Sequence, residues 1–459
     1  MIDLKNKDGY KDSGIEWIGY IPEEWKVSRI KNVIDNTIGG DWGKELSEKV
    51  DNSYKECNVI RIPDFNRSKK NINDKNFTRR FIKKSSILSR KLEYGDLLLE
   101  KSGGGEKVPV GNVVVFDKNM EAISSNFISK LKINKNSSPF FINYYFGFLY
   151  SIKRNILSIK ETTGIQNLNQ TDYFSNFIFL PPKQEQKRIA NYLDQKTELA
   201  DKKIEVAQKR KKLLLEFKKS LINQVVTKGL RFDLDFENNA GLSEKEFDLY
   251  MKDNGYKDSG IEWIGWIPEG WSVNKLKDMF IFSKGKNAGK YSVEYISNNI
   301  KKDGFPVYSG QTKNNGILGT IDSYEYNISS VIFVTTVGAK AMENKLINGK
   351  FSLSQNCALM ELKLENNVYS YHNYILQLIF KEERKRIATI ITPSLRIEDL
   401  RVYNTLYPPK EEQQQIANYL DQKTAQIDKE VAQIDKETEL IKEFKKTLIN
   451  DVVTGKIRV

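Results

Sequence analysis

Two stretches of the chain alternate apolar and polar residues with a helical period. After Pro181–Pro182, the residues Ile189, Leu193, Ala200, Ile204, Ala207, Leu214, Phe217, Leu221 and Val225 follow at steps of three, four or seven. After Pro408–Pro409, Ile416, Leu420, Ile427, Val431, Ile434, Ile441, Phe444, Leu448 and Val452 do the same. Proline is tolerated in a first helical turn and none follows in either stretch, so each predicts one long helix with an a/d seam and charged flanks. About forty residues at 1.5 Å per residue makes each roughly 60 Å long. Two near-identical seams are expected to pack on each other, and antiparallel packing would place one intervening segment at each end of the rod.

Those intervening segments have a different pattern. GDLLLEK and VGNVVVFD flank the loop Ser102–Pro109, and SVIFVTTVG and CALMELKL are the β-rich runs of the later segment. Glycines at turn positions break FPVYSGQTKNNGILGTID, and helical patches are expected near Phe140–Ile156 and Tyr371–Ile390. The fold class expected is α+β: two globular mixed-sheet domains joined by two long antiparallel helices.

The helical pattern is one part of an internal repeat. YKDSGIEWIGYIPEEW (Tyr10–Trp25) returns as YKDSGIEWIGWIPEGW (Tyr256–Trp271). PPKQEQKRIANYLDQKT (Pro181–Thr197) returns as PPKEEQQQIANYLDQKT (Pro408–Thr424), and EFKKSLINQVVT as EFKKTLINDVVT (Glu443–Thr454). Between tryptophan and double proline the halves share no obvious sequence. Solenoids carry many short copies, so two long copies read as a pseudo-dimer on one chain, a similar frame around two different inserts. The boundaries expected are 1–180 and 256–407 for the inserts with their leading motifs, 181–228 and 408–459 for the helices, and 229–255 as an acidic chain return.

Charge narrows the class of partner. Lys+Arg number 73 against 60 Asp+Glu, a formal +13. The excess is segregated: Arg61–Lys91 holds eleven basic and two acidic residues, while Arg231–Gly255 holds seven acidic and three basic. Lysine-rich genome bias does not segregate charge, so a polyanion, nucleic acid, is the expected partner. No run of eighteen apolar residues predicts a membrane span, and the polar N-terminus MIDLKNKDGYKDSG has no apolar signal core, so a cytoplasmic location is expected. Cys57 and Cys357 read as small buried residues.

Catalytic chemistry is hard to assemble. One histidine, His372, and two distant cysteines do not support a zinc site or a Cys–His pair. KGKNAGKYS (Lys284–Ser292) has the wrong spacing for a phosphate loop and Tyr291 where Ser/Thr should bind magnesium. LPPK and YPPK lack the carbonyl side chain and aromatic ring of an amino-methyltransferase motif. The polar loops suit base reading instead. Lys101, Ser102, Lys107, Gln166 and Asn167 are candidates in the first insert; Ser309, Gln311, Lys313, Asn314, Gln355 and Asn356 in the second. Asn/Gln can pair with adenine and Arg/Lys with guanine, while Arg61, Arg67, Lys69, Lys70, Lys83, Lys84, Lys284, Lys286 and Lys340 are candidates for phosphate or base contact.

With these motifs the chain resembles the specificity subunit of a type I restriction–modification system. The resemblance rests on YKDSGIEWIG and its second copy, GDLLLEKSG, PVYSGQTKNNGILG, and the two PPK(Q/E)EQ…IANYLDQKT helix starts followed by EFKK(S/T)LIN. It implies a non-catalytic subunit whose inserts are target recognition domains, each reading half of a split site in double-stranded DNA. It implies docking of two modification subunits that bring S-adenosylmethionine and methylate adenine N6, with Ile189, Tyr192, Leu193, Ile416, Tyr419 and Leu420 as the candidate docking residues. A translocating restriction subunit, bringing ATP and Mg, would join for cleavage, and the chain itself would bind no cofactor. The helices would set the gap between half-sites, so four inserted residues, roughly 6 Å, should lengthen it by one or two base pairs. The acidic segment after Gly229 has no counterpart after Val459, and the two termini are expected to complete the missing repeat together. An orphan DNA-binding adaptor without a methyltransferase and a coiled-coil scaffold for proteins are the rival readings.

Overall fold

The structure, a computed structural model, describes residues 8–74, 76–162, 164–230, 243–311, 314–338, 341–364, 367–387 and 396–459. The chain forms two compact units, Met1–Gln208 with Ile434–Val459, and Lys209–Gln433. Each helix, Lys183–Lys228 and Lys410–Val453, gives one half to each unit.

In the first unit the hairpin Tyr10–Asp12/Tyr20–Pro22 leads to Trp25, which is fully buried. Strand Lys26–Arg29 then pairs antiparallel with Phe177–Leu180, so the two ends of the insert are clamped together. Inside this clamp lies a four-stranded sheet in the order Val113–Val115, Leu97–Glu100, Ile128–Ile133, Ile34–Gly39. Leu97, Leu98 and Leu99 are all buried because the sheet is covered on both faces, which an unbroken apolar run requires. Phe141, Ile142, Tyr145, Phe146 and Leu149 of the helix Pro139–Ser151 share one core with Leu97 and Leu99.

The second unit repeats this plan without repeating the insert's sequence. Hairpin Tyr256–Asp258/Trp266–Pro268 leads to buried Trp271, and Ser272–Lys275 pairs with Asn404–Tyr407. Four strands again lie in the order third, second, fourth, first: Asn344–Leu353, Tyr326–Thr335, Cys357–Leu362, Phe280–Lys284. Phe305–Tyr308 and Ile317–Ile321 extend that sheet to six. The helix Tyr369–Ile387 takes the place of Pro139–Ser151.

The identical frame residues make identical bonds. Trp25 Nε1 donates to Glu185 at 3.3 Å, and Trp271 Nε1 to Glu412 at 2.9 Å. Gln186 accepts from Ser138 N and Gln413 from Val368 N, each tying the helix start to the insert. Tyr144 donates to Asp194 and Tyr374 to Asp421, at 2.7 and 2.8 Å. Both helices end in a left-handed glycine, Gly229 at φ +75° and Gly455 at φ +75°, which closes the last turn. Tyr10 donates to the Gly455 carbonyl and Tyr256 to the Lys228 carbonyl, both at 3.0 Å. The N-terminal hairpin thus closes on the end of the second long helix, and the termini complete the repeat as expected.

Two expectations are corrected. Phe217 and Phe444 are more than half exposed and are not seam residues. Lys218 and Lys445 stand in their place, each pairing with an aspartate on the other helix: Lys218 with Asp428 at 2.6 Å, Lys445 with Asp201 at 2.7 Å. A step of three and a step of four both satisfy a helical seam, and the facing acid selects the lysine. The acidic stretch is also not a plain return. Residues 231–242 lie outside the described residues, but Glu244–Asp253 is a helix whose start is fixed by the Ser243–Glu246 capping box.

Candidate nucleic-acid interface and docking faces

In the first unit, Ser102–Gly103 pairs with Gln166–Asn167 at the edge of a small sheet, and Ser102 Oγ donates to Asn167 at 2.7 Å. The adjoining loop turns between Gly105 and Val108, and Lys107 is displayed at its tip. Ser102 and Asn167 are thus joined with Lys107 exposed on the adjoining loop, while the Lys101 ammonium lies over Gly39. Gln166 does not join them: its side chain is buried and accepts from Val110 N.

The basic stretch after Arg61 is only partly a surface. Arg61 closes a turn on Asp64, whose carboxylate accepts from the Arg61 amide at 2.7 Å. Arg67 pairs with buried Glu100 at 2.9 Å, and burial pushes the Glu100 carboxyl up to about 7 against the pull of Arg67. Lys70 is laid over Gly147 of the helix Pro139–Ser151 and burial lowers it to about 8. Lys69 remains exposed in the turn. Arg67 is thus paired inside the unit, Lys70 lies against the helix, and the Arg61 side chain stays 42% exposed beside Asp64.

In the second unit the candidates gather around two adjoining cavities. One, of about 390 Å³, is lined by Tyr291, Ser309, Gln311, Gln355 and Asn356; the other, of about 230 Å³, by Ser309, Gln311, Asn315, Asn344 and Lys345. Gln355 and Asn356 are exposed at the mouth. Asn314, Asn315 and Asn356 have φ of +51°, +51° and +70°, the left-handed region that asparagine tolerates better than most side chains. Gln311 donates to the Ile317 carbonyl, so its amide is partly committed. Lys284 is exposed, and Lys286 Nζ lies 5.0 Å from the Tyr326 ring. Lys313 and Lys340 lie outside the described residues.

Three lysines that sequence reasoning missed stand over aromatic rings in this unit. Lys345 lies 4.4 Å from Tyr308, Lys350 4.8 Å from Tyr324, and Lys290 5.1 Å from Tyr295. Lys345 and Tyr308 come from different strands, so no linear motif signals the pair. Aromatic faces position these cations, and Lys345 Nζ also donates to the Asn315 carbonyl.

Four of the six candidate docking residues are corrected. Ile189, Leu193, Ile416 and Leu420 are buried in the chain's own two cores, where they hold the inserts to the helices. Tyr192 and Tyr419 are half-buried. The residues that the repeated nonapeptide exposes are Asn191, Asp194, Gln195 and Lys196, and identically Asn418, Asp421, Gln422 and Lys423. One turn of each helix further on is apolar outward: Leu213 and Phe217, and at the matching positions Leu440 and Phe444, are each more than half exposed. His372 is fully buried and bonded to Asn367, and Cys57 and Cys357 are buried and free. Among the described residues no group of three metal-ligating side chains converges, and no helix is long and apolar enough to cross a membrane.

Known proteins share this arrangement. The chain is 25% identical over 450 residues to a putative type I restriction enzyme MjaX specificity subunit of Methanocaldococcus jannaschii, covering 96% of each chain. It is 24% identical to the type I restriction enzyme MjaVIII specificity subunit of the same organism, over 96% of this chain and 94% of that one. A structure solved in a study of complex assembly and conformational transition of the type I R-M system shares the fold. It has a TM-score of 0.63 at 14% identity, over 95% of this chain and 99% of that one. A family model for the type I restriction modification DNA specificity domain matches residues 22–214 and again 268–440. The chain therefore belongs to the type I restriction–modification DNA specificity family, whose domain it carries twice, as a recognition subunit and not as an enzyme.

Proposed function

We propose that the chain reads a bipartite DNA target, one insert per half-site, and docks two copies of a modification subunit through its duplicated frame. The observation that carries this is the coupling of identical frame bonds, such as Trp25–Glu185 and Trp271–Glu412, to inserts of unlike sequence. Identical frames accept identical partners, and unlike inserts accept unlike half-sites. Lys101, Ser102, Lys107 and Asn167 are the readers in one unit. Gln355 and Asn356 are the readers in the other, flanked by Lys286 and Lys345 on their aromatic supports. The docking residues are Asn191, Gln195 and Lys196, with Leu440 and Phe444, in the first unit, and Asn418, Gln422 and Lys423, with Leu213 and Phe217, in the second. The modification subunit supplies S-adenosylmethionine for adenine N6 methylation, and a restriction subunit supplies ATP and Mg. The work is done on cellular DNA in the cytoplasm.

The test is a genome-wide map of N6-methyladenine in the source cell with and without this gene. A split motif methylated in both halves that vanishes on deletion is the expected result. Methylation unchanged by the deletion, in a cell that makes the chain and a modification subunit, would reject the proposal.

A further inference from the structure

We propose that the first unit contains a binding site for a phosphate-class oxyanion, in the cavity bounded by Lys70, Gly147 and Lys445. The cavity measures about 460 Å³ and is also lined by Arg67, Ser151 and Lys446. Arg67, Lys70, Lys442, Lys445 and Lys446 line it against a single carboxylate, Asp201. Arg67 is matched by Glu100 at 2.9 Å and Lys445 by Asp201 at 2.7 Å. Lys70 and Lys446 have no carboxylate within 4.0 Å among the described residues.

Lys70 is built into this place. It occupies the turn between the paired strands Phe65–Asn66 and Asn71–Ile72, at a left-handed φ of +57°. Its carbonyl accepts from Val115 N at 3.0 Å and from Asn143 Nδ2 at 2.8 Å, so its backbone is pinned from two sides. Its side chain then crosses the helix at Gly147. A Cβ at Gly147 would sit 2.0 Å from Lys70 Nζ, so the ammonium occupies the space a larger residue would fill. Burial, and then the neighbouring Lys445 charge, lower Lys70 to about 8. A lysine in a strained backbone conformation, desolvated and set beside a second lysine, costs stability unless an anion shares the cavity. The Ser68 and Ser151 hydroxyls at the rim donate to Asp201 and to the Phe148 carbonyl, so the lysine ammonium groups are the donors left for oxyanion oxygens. Lys70 comes from the insert, which the two halves do not share, so this site is a property of one unit and not of the duplicated frame.

The chemistry named is that of phosphate; its source is either a free phosphate or a backbone phosphate of bound DNA. Calorimetric titration of the full chain with inorganic phosphate, against chloride at matched ionic strength, tests it. Wild type should bind, and Lys70→Met and Gly147→Ala should each weaken binding tenfold or more. Gly147→Ala displaces the ammonium while improving helix propensity, so it separates loss of the site from loss of the fold. Equal phosphate binding in all three proteins, or none in the wild type, overturns the proposal. With phosphate binding lost in Lys70→Met, titration of a DNA duplex separates the sources. A salt slope reduced by about one identifies the DNA backbone, and an unchanged slope identifies free phosphate.

Discussion

Lys445 reaches across from one long helix to Asp201 on the other, with its Nζ 2.7 Å and 2.8 Å from the two carboxylate oxygens. Its duplicate, Lys218 with Asp428, makes the same contact at 2.7 and 2.6 Å. The two pairs differ in solvent access: Asp201 is 18% exposed and Asp428 59%. Asp201→Asn should therefore cost about 1.5–3 kcal/mol, since it strands a shielded lysine. Asp428→Asn should cost less than about 1 kcal/mol. Thermal unfolding of the two variants measures this, and equal losses would contradict it.

Burial pushes the Glu100 carboxyl up from its ordinary 4.5 to about 7, so the folded state holds its proton more tightly than the unfolded state. Its contribution makes the protein less stable as pH rises from about 4.5 to about 7, by roughly 3 kcal/mol, and flat above that. Glu100→Gln keeps an acceptor for Arg67 and should remove this slope. Unfolding midpoints at pH 5, 6, 7 and 8 for both proteins would show it.

His372 is the chain's one histidine, and burial lowers it to about 3. Its neutral form is held in the folded state, so stability falls as pH drops from about 6.5 toward 3. Its imidazole proton resonance in the folded protein should stay constant from pH 8 to pH 5. A titration with a midpoint near 6.5 would show that the ring is open to water.

Leu213, Phe217, Leu440 and Phe444 face outward, so changing them should leave stability within about 0.5 kcal/mol. Leu213→Asp with Phe217→Ala should weaken one docking event with the modification subunit, and Leu440→Asp with Phe444→Ala the other. Native mass spectrometry of the reconstituted complex would read one bound copy lost in each case. Retention of both copies in the fourfold variant would remove these faces from the interface.

Lys107 and Gln355 should fail differently. Lys107→Ala is expected to weaken duplex binding alike for all sequences and to lower the salt slope by about one. Gln355→Ala is expected to lower discrimination in one half-site by about 1–3 kcal/mol. Competition binding with duplexes altered in either half distinguishes the two patterns.

The repeated motifs, the helix starts at the double prolines and the apolar strands Leu97–Glu100, Val113–Val115, Tyr326–Thr335 and Cys357–Leu362 were legible because each is a local pattern. An alternation or a proline acts within a few residues of where it stands. Gln166 shows where local reading stops. A glutamine in a polar stretch is equally suited to a base edge and to a buried amide, and its bond from Val110 N comes from a bend that meets its strand only in three dimensions.

The sequence by itself determined that the chain is a duplication, that its frame is two amphipathic helices, and that its inserts differ. Identical residues in the same order force identical local structure, and an a/d period forces a helix with one apolar face. Only the tertiary structure decided what each face covers. Ile189 and Ile416 have the period of a docking seam, yet they are buried against their own inserts, because periodicity marks a face as apolar without naming its partner. The same limit hid the shared strand order of the two inserts. A sheet order is set by which buried strands meet, and unlike side chains of similar burial satisfy it equally well.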